Sequence, residues 1–409
     1  MIDQTSDNTS RIVEVGIQPF RFLKCVSDCK RKPPPRSGHR VVCNNKYMYC
    51  YGGYNPSLDS DTSWPNSFWS RTEWDESKPL FRELWRYNIC SRQWKKLPCG
   101  KIPSALASSS VILTGKLLLA FGGTGEPFGQ LCSRSLHVCD LSKKDLSFEM
   151  METHGDLPEP LYGQGVLLDN INLYTVGGTS GFTYSNDIHK LNLGTKIWER
   201  LQPVNPHDSP EPRYRHELAF YKGEIYIFGG GTNNNAFSLQ EIPVFNLKSK
   251  EWRKEITFPH VAEGHPKPRK SHSLIQIPAQ PQIVIICGGN NRCGALSDSW
   301  MLDLDSKRWH PLPLCTLHHH ALHFHDTAVT PSGKMITFGG IKTLRTSNDT
   351  TTEVRSNDVL EAWVCIPKLS ELCFDILLEA EPRIKSLSWT SGNELGIPSK
   401  FLARLIDDE

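Results

Sequence analysis

The chain has 409 residues, a formal net charge of +2 and 38% hydrophobic side chains. That near-neutral balance argues against general attraction to nucleic acid or to a membrane, both of which need concentrated positive charge. No apolar run approaches the roughly 18 residues of a spanning helix. Thirteen cysteines lack paired spacing, and the polar start Met1–Ser10 has no signal core, so reduced thiols in the cytoplasm or nucleus are expected. Residues 1–16 are expected to be disordered.

From there the chain is punctuated by a recurring diglycine: Gly52-Gly53, Gly122-Gly123, Gly177-Gly178, Gly229-Gly230, Gly288-Gly289 and Gly339-Gly340. Successive first glycines are 70, 55, 52, 59 and 51 residues apart. Each pair ends a short apolar run, such as Leu118-Leu119-Ala120-Phe121, that reads as a strand buried on both faces. A second strand follows each pair, at Leu84–Tyr87, Leu136–Cys139, Ile188–Leu191, Ile242–Phe245, Ser299–Leu302 and Leu360–Trp363. An outer strand then carries Trp94, Phe148, Trp198, Trp252 or Trp309, expected to pack between neighbouring units. A period near 50 with Gly-Gly and a later Trp resembles the kelch repeat, one four-stranded propeller blade per copy. The fold class predicted is all-β: a six-bladed kelch propeller over residues 17–366, then a short helical segment over 367–409.

The sixth repeat lacks an outer strand with an aromatic after Trp363. Phe20 and Phe22 stand at the distance before Arg36 at which the other anchors precede their next blade. Residues 18–24 are therefore predicted to complete blade six. Blades open with a Pro-Arg-x-x-His element at Pro35–His39, Pro212–His216 and Pro268–His272, with degenerate copies at Leu161–Gln164 and Leu322–His325. The Arg and His are expected to fix the blade entrance by hydrogen bonding. The two variable residues between them are expected to face the central pocket. Two long loops stand out: 54–80, with Trp64, Phe68, Trp69 and Trp74, and the Thr-rich 341–357.

No chemistry of the chain's own is expected. His318-His319-His320 with His323 and His325 are enough imidazoles for zinc or copper, but a His run in a loop is usually solvated, and Cys25, Cys29, Cys43 and Cys50 contain no C-x-x-C pair, so no metal or cofactor is anticipated. No phosphate-cradling loop or nucleophile elbow is present.

After Pro367 the pattern turns helical. Leu369, Leu372, Cys373, Ile376 and Leu377 make one apolar stripe, which Pro382 ends. Two further apolar segments follow, with Ser391-Gly392-Asn393 expected as the turn between them. Leu369-x-x-x-Cys373-x-x-x-Leu377 resembles the elongin-C-binding BC box, with Lys368 in place of the usual small residue. Ile397-Pro398-x-x-Phe401-x-x-x-Leu405 resembles the cullin 2 box at every specified position. With Phe81–Tyr87, Asp187–Leu191 and Arg213–Glu217, these boxes make the chain similar to kelch substrate receptors of cullin-RING ubiquitin ligases.

That resemblance implies a non-catalytic receptor whose tail binds elongin B/elongin C and cullin 2 with its RING subunit. Its pocket would hold the C-termini of target proteins. In relatives two arginines after one diglycine help to bind the terminal carboxylate. Here that stretch reads Gly231-Thr232-Asn233-Asn234-Asn235. The cations at variable positions are Arg215, expected as main carboxylate ligand, and Lys270, expected as its helper. Tyr162, Tyr184, Tyr214 and Ser271 are candidate wall residues, with Arg292 a further candidate. The alternative is a kelch scaffold outside any ligase, binding signalling or cytoskeletal partners.

Overall fold

The computed structural model describes residues 21–25, 31–59, 80–313, 321–345 and 351–406. Residues 1–16, the start of the proposed closing strand, the loop aromatics from Trp64 to Trp74 and the His318–His320 run lie outside the described residues.

Six antiparallel sheets of four strands follow one another along the chain. Blade four is typical, with Glu217–Tyr221, Glu224–Phe228, Glu241–Asn246 and Glu251–Ile256 paired in sequence order. The second strand of each blade is its most apolar and is covered on both faces; Tyr47–Tyr51 and Lys334–Phe338 are buried at every residue. Blades two and three each gain a short parallel fifth strand from the preceding linker, Cys99–Gly100 and His154–Gly155.

The outer-strand aromatics pack between blades, where large rings fill the wedge that opens towards the rim. The Trp94 ring lies 4.9 Å from Phe338 of blade six, Phe148 lies 5.4 Å from Tyr51 of blade one, and Trp198 lies 5.5 Å from Phe121 of blade two. Trp252 joins Tyr174 and Val176 of blade three, and Trp309 faces Phe228 of blade four. Blade six gets its fourth strand from the other end of the chain. Leu23–Cys25 runs antiparallel to Val359–Trp363, pairing Leu23 with Glu361. Phe22, just before it, is buried among Ile275, Ile285 and Leu360, between blades five and six. The described strand ends at Cys25, one residue beyond the predicted limit.

Around the central axis the blades are joined by two rings of backbone hydrogen bonds. The amide of Gly38 donates to the Phe324 carbonyl (3.1 Å), Ser108 to Gly38 (2.8 Å) and Gly163 to Ser108 (2.9 Å). Arg215 donates to Gly163 (2.7 Å), Ser271 to Arg215 (3.1 Å) and Phe324 to Ser271 (3.0 Å), which returns to the start. All six residues have positive φ, between 52° and 64°. They are the second variable position of each opening element. Blade two supplies Ser108 from Leu106-Ala107-Ser108-Ser109, a copy without Arg or His that the repeat pattern did not reveal. In the second ring, the second glycine of each pair donates to the residue two before Gly38 or its counterpart in the next blade: Gly53 to Leu106, Gly123 to Leu161, Gly178 to Arg213, Gly230 to Arg269, Gly289 to Leu322 and Gly340 to Arg36.

The diglycine exists for this close approach. A Cβ on Gly229 would lie 2.4 Å from the Arg269 carbonyl oxygen, and one on Gly230 would lie 2.6 Å from His216 Cβ. The motif arginines brace the same point. Arg36, Arg213 and Arg269 each donate Nη1 to the carbonyl of the first glycine of their own blade, at 2.9, 3.1 and 2.9 Å.

Two expectations are corrected. The Thr-rich segment is no simple loop: Ile341–Arg345 and Thr351–Arg355 form a hairpin that adds to Ala321–His323 as a three-stranded sheet. Ser391-Gly392-Asn393 is no turn: it lies inside a helix capped by the Ser388 hydroxyl, and Gly392 is glycine because a Cβ would meet Leu402 at 2.2 Å. The turn falls one step later, at Gly396 with φ +74°.

The motif histidines are buried beside the diglycines, and burial holds them neutral. His216 and His325 are pushed down to about 3, and His39 and His272 lie well below the usual imidazole range. The unfolded chain binds these protons first, near pH 6.5, so stability is full above that pH and falls as pH drops towards the folded values. Glu217 and Asp326, whose pKa burial raises, act in the opposite direction but are fewer. Urea titrations at pH 7 and pH 5.5 are expected to show a net loss, with each buried imidazole contributing about 1 kcal/mol.

Candidate functional site

The six residues of the first ring line one cavity on the axis, together with His39, Arg40, Glu217, His272 and His325. Two are glycine and two are serine, so its chemistry is set by Arg215 and Phe324. The Arg215 guanidinium lies 4.2 Å from the Phe324 ring centroid and 4.5 Å from that of Tyr214. It has no carboxylate partner among the described residues, and its Nε is buried without a hydrogen bond. Burial pulls its pKa down while the tyrosines Tyr214, Tyr162 and Tyr184 pull it up; an arginine so placed keeps its charge. A guanidinium stacked on rings and left unneutralised is suited to an incoming anion.

The predicted wall residues are brought together. Tyr214 contacts Tyr184 at 5.4 Å and Tyr162 at 6.2 Å between ring centroids. Ser271 is buried with its Oγ unpartnered. Lys270 is placed differently from a free ligand. Its Nζ donates to the carbonyls of Thr232 (2.6 Å) and Asn233 (3.0 Å), which leaves one N–H of three. The blade-four loop it grips is held on every side. Tyr214 Oη donates to Asn233 Oδ1, the Asn233 amide donates to Tyr184 Oη, and Arg292 donates to Asn234 and Asn235. The blade-four loop Gly231–Asn235 is thus a clamped polar element. Lys270 and Arg292 position it.

Below the ring, Arg40 Nη1 reaches Glu217 Oε1 of blade four (3.1 Å) and Asp326 Oδ1 of blade six (3.2 Å). On the rim, the sequence reading missed Phe128, Leu131 and Phe182, which are exposed on the loops of blades two and three; Phe182 is 81% accessible. Those loops touch, since a Cβ on Gly181 would lie 3.0 Å from Gly129 Cα. Phe128 and Phe182 each stand beside a glycine, Gly129 and Gly181, a weak signal in the sequence, and Leu131 lacks even that. Among the described residues no group of three or more His, Cys, Asp or Glu side chains could hold a metal ion.

The second candidate surface is the helical tail. Helices α1 (Leu369–Ala380), α2 (Trp389–Glu394) and α3 (Ser399–Leu405) pack around Phe374, Leu378, Ile384, Ile397, Phe401, Leu402 and Leu405, with Cys90 of blade one. Phe374 and Phe401 stack at 4.4 Å. The BC-box residues lie on the other face of α1: Leu369 is 73% exposed, Leu377 is 37% exposed and Cys373 is exposed, with Leu372 and Ile376 half-buried. The cullin-box residues lie differently from contact residues. Ile397, Phe401 and Leu405 are buried in the helical core, and only Pro398 of the four is exposed. A spacing of i, i+4 and i+8 marks one helix face and cannot say whether that face is core or interface.

These helices and six Gly-Gly sheets define a kelch-repeat β-propeller with a helical extension. The family model described as the KLHDC2/KLHL20/DRC7 Kelch-repeats domain matches residues 24–230 and 68–277. Kelch domain-containing protein 10 of Mus musculus is 40% identical over 389 residues, covering 95% of this chain and 83% of that protein. The Homo sapiens protein of that name is 39% identical, covering 95% and 82%. The Drosophila melanogaster homolog is 34% identical over 426 residues, covering 98% and 67%. The chain belongs to the Kelch domain-containing protein 10 family.

The helices are fastened to the propeller by a buried ion pair. Lys334 Nζ of blade six lies 2.6 Å from Asp375 Oδ2 of α1, which also accepts from Trp363 Nε1 at 3.0 Å. Burial lowers the Lys334 pKa, but Glu361 and Asp375 more than reverse this. Asp375→Ala leaves that ammonium unpaired, and the expected cost is about 3 kcal/mol. The denaturation midpoint measures it, and faster amide exchange confined to α1 and α3 locates it.

Proposed function

We propose that this chain is the substrate-recognition subunit of a cullin 2–elongin B/elongin C RING ubiquitin ligase, and that its axial pocket holds the C-termini of target proteins. The observation that carries the reading is the apolar stripe Leu369, Cys373 and Leu377, held outward on a helix whose other face is fully occupied. An exposed i, i+4, i+8 set on a braced helix has the form of a helix-in-groove anchor. The unneutralised Arg215 at the pocket floor supports the second half of the reading. On this view the buried cullin-box residues keep the helical unit in shape, and Pro398 with its exposed neighbours Ser399 and Lys400 meets the scaffold. The receptor contributes no catalysis. It works in the cytoplasm or nucleus, consistent with eleven free cysteines among the described residues.

Leu369→Asp with Cys373→Asp is expected to abolish co-purification with elongin B/elongin C while leaving peptide binding intact. Retained elongin binding overturns the ligase reading and leaves the kelch scaffold ahead.

Arg215→Ala is expected to weaken binding of C-terminal peptides, with elongin binding unchanged. Amidating the peptide carboxyl is expected to cost the wild type more than about 2 kcal/mol, as loss of one partner of a desolvated charge pair does. Equal affinity for acid and amide would show that the pocket reads an internal motif.

A further inference from the structure

A cavity of about 120 Å³ lies where blades six and one meet the helical tail. One water molecule needs only about 10–15 Å³, so there is room for a small organic molecule. The walls come from the closing strand, the turn after the third strand of blade one, the third strand of blade six and α1. The cavity therefore exists only while α1 is docked on the propeller. Leu23, Ile89 and Ile376 supply apolar lining, and Glu361, Lys334 and Lys385 supply charge.

Glu361 is the group on these walls that lacks a partner. It is 6% exposed. Burial raises its pKa, but Lys334 and Arg92 more than reverse this, so the carboxyl is ionised. Arg92 Nη2 donates to Oε1 at 2.9 Å, while Oε2 is buried without a hydrogen bond. The Cys25 thiol beside the carboxylate is a weak donor and does not bond Oε2. Lys334 is turned to Asp375, at 2.6 Å, and to the Trp363 ring, at 4.7 Å. A buried ionised oxygen without a donor is costly, and on a cavity wall it marks where a ligand's donor belongs. Two cations already flank the carboxylate, so a neutral O–H suits that place better than a third cation. Lys385, in the turn Pro382–Ser386, also lines the cavity and is half-buried. Burial and Arg92 lower its pKa, and Glu361 and Glu379 oppose them. It makes no hydrogen bond or ion pair among the described residues, so its ammonium can take an anion.

We propose that this cavity binds a small hydroxycarboxylate, whose hydroxyl donates to Glu361 Oε2, whose carboxylate accepts from Lys385 and whose carbon chain lies against Leu23, Ile89 and Ile376. The site is separate from the axial pocket and does not depend on the reading of that pocket. The bound molecule touches blade six at Glu361, α1 at Ile376 and the following turn at Lys385, so it also fastens the tail to the propeller.

The test titrates the purified full chain with β-hydroxybutyrate, butyrate and β-hydroxybutyramide, with binding read by saturation-transfer NMR. β-Hydroxybutyrate is expected to bind most tightly. Butyrate, which lacks the hydroxyl, is expected to bind roughly tenfold to a hundredfold more weakly, as loss of a hydrogen bond to a buried charge does. The amide, which lacks the negative charge, is expected to lose only about twofold to fivefold, because Lys385 is half-exposed. Lys385→Met is expected to remove the difference between acid and amide and to keep that between hydroxy and deoxy acids. Glu361→Gln is expected to remove the hydroxyl preference. Slower amide exchange in α1 on binding supports the placement against the tail. Binding of none of the three, equal binding of all three, or preferences unchanged in both variants overturns the proposal. Should Glu361→Gln fail to fold, Lys385→Met decides alone: a preference for acid over amide that survives it overturns the proposal.

Discussion

The rest of the molecule depends on the ring of six backbone hydrogen bonds around its axis. Each member must take a left-handed conformation to donate to one neighbour and accept from the next. For the four that are not glycine this costs on the order of 1 kcal/mol each. The cost persists because the geometry is over-determined. The Arg or Leu before each member accepts from the preceding blade's diglycine, and the His, Ser or Gln after it is wedged between blades. A polar backbone with no water beside it has to bond somewhere, and here each blade supplies what the next requires. The same constraint decides the pocket. Because all six ring residues line the cavity, its chemistry is written at six positions that packing does not otherwise dictate.

Blade six joins the two functional surfaces. The N-terminal strand completes it, the Thr-rich hairpin rises from its diglycine, and its second strand carries Lys334 to the Asp375 of α1. The attachment is reinforced from blade one, where Asn88 Nδ2 donates to the Arg404 carbonyl, and within the tail, where Arg404 pairs with Glu371. The direction of the exposed stripe on α1 is thus fixed relative to the pocket by buried polar contacts, which tolerate little rotation.

The parts of this architecture that were legible are those in which one residue type has one physical use. Gly-Gly before a loop and a Trp in an outer strand recur because close approach and wedge filling recur. Phe22 could be assigned to blade six because it stands where an anchor is missing. The hairpin Ile341–Arg345 with Thr351–Arg355 was not legible, because its second strand is exposed from Thr351 to Val354 and so lacks apolar alternation. Lys270 was recognised as a cation near the axis, but sequence does not reveal that two backbone carbonyls already hold it. Ile397, Phe401 and Leu405 have the spacing of an interface and the burial of a core.

The depth at which a carboxylate could bind follows from where the charges are neutralised. Opening elements run inward from the loops through the ring to the inner strands, so Arg40 lies deeper than Arg215. Arg40 is already shared by Glu217 and Asp326, and burial raises the pKa of both carboxylates, the sign of a site with more negative charge than it can solvate. An anion moving past the ring would approach those two buried, weakly screened carboxylates. At the ring the balance reverses, because Arg215 has no acidic partner among the described residues. The field therefore favours an anion held at the level of Arg215 and opposes one that goes further. A free chain end can satisfy such a floor, because its charge is on its last atoms. A side-chain carboxylate in the middle of a peptide would have to bring the chain on both sides of it through an opening bounded by Phe324.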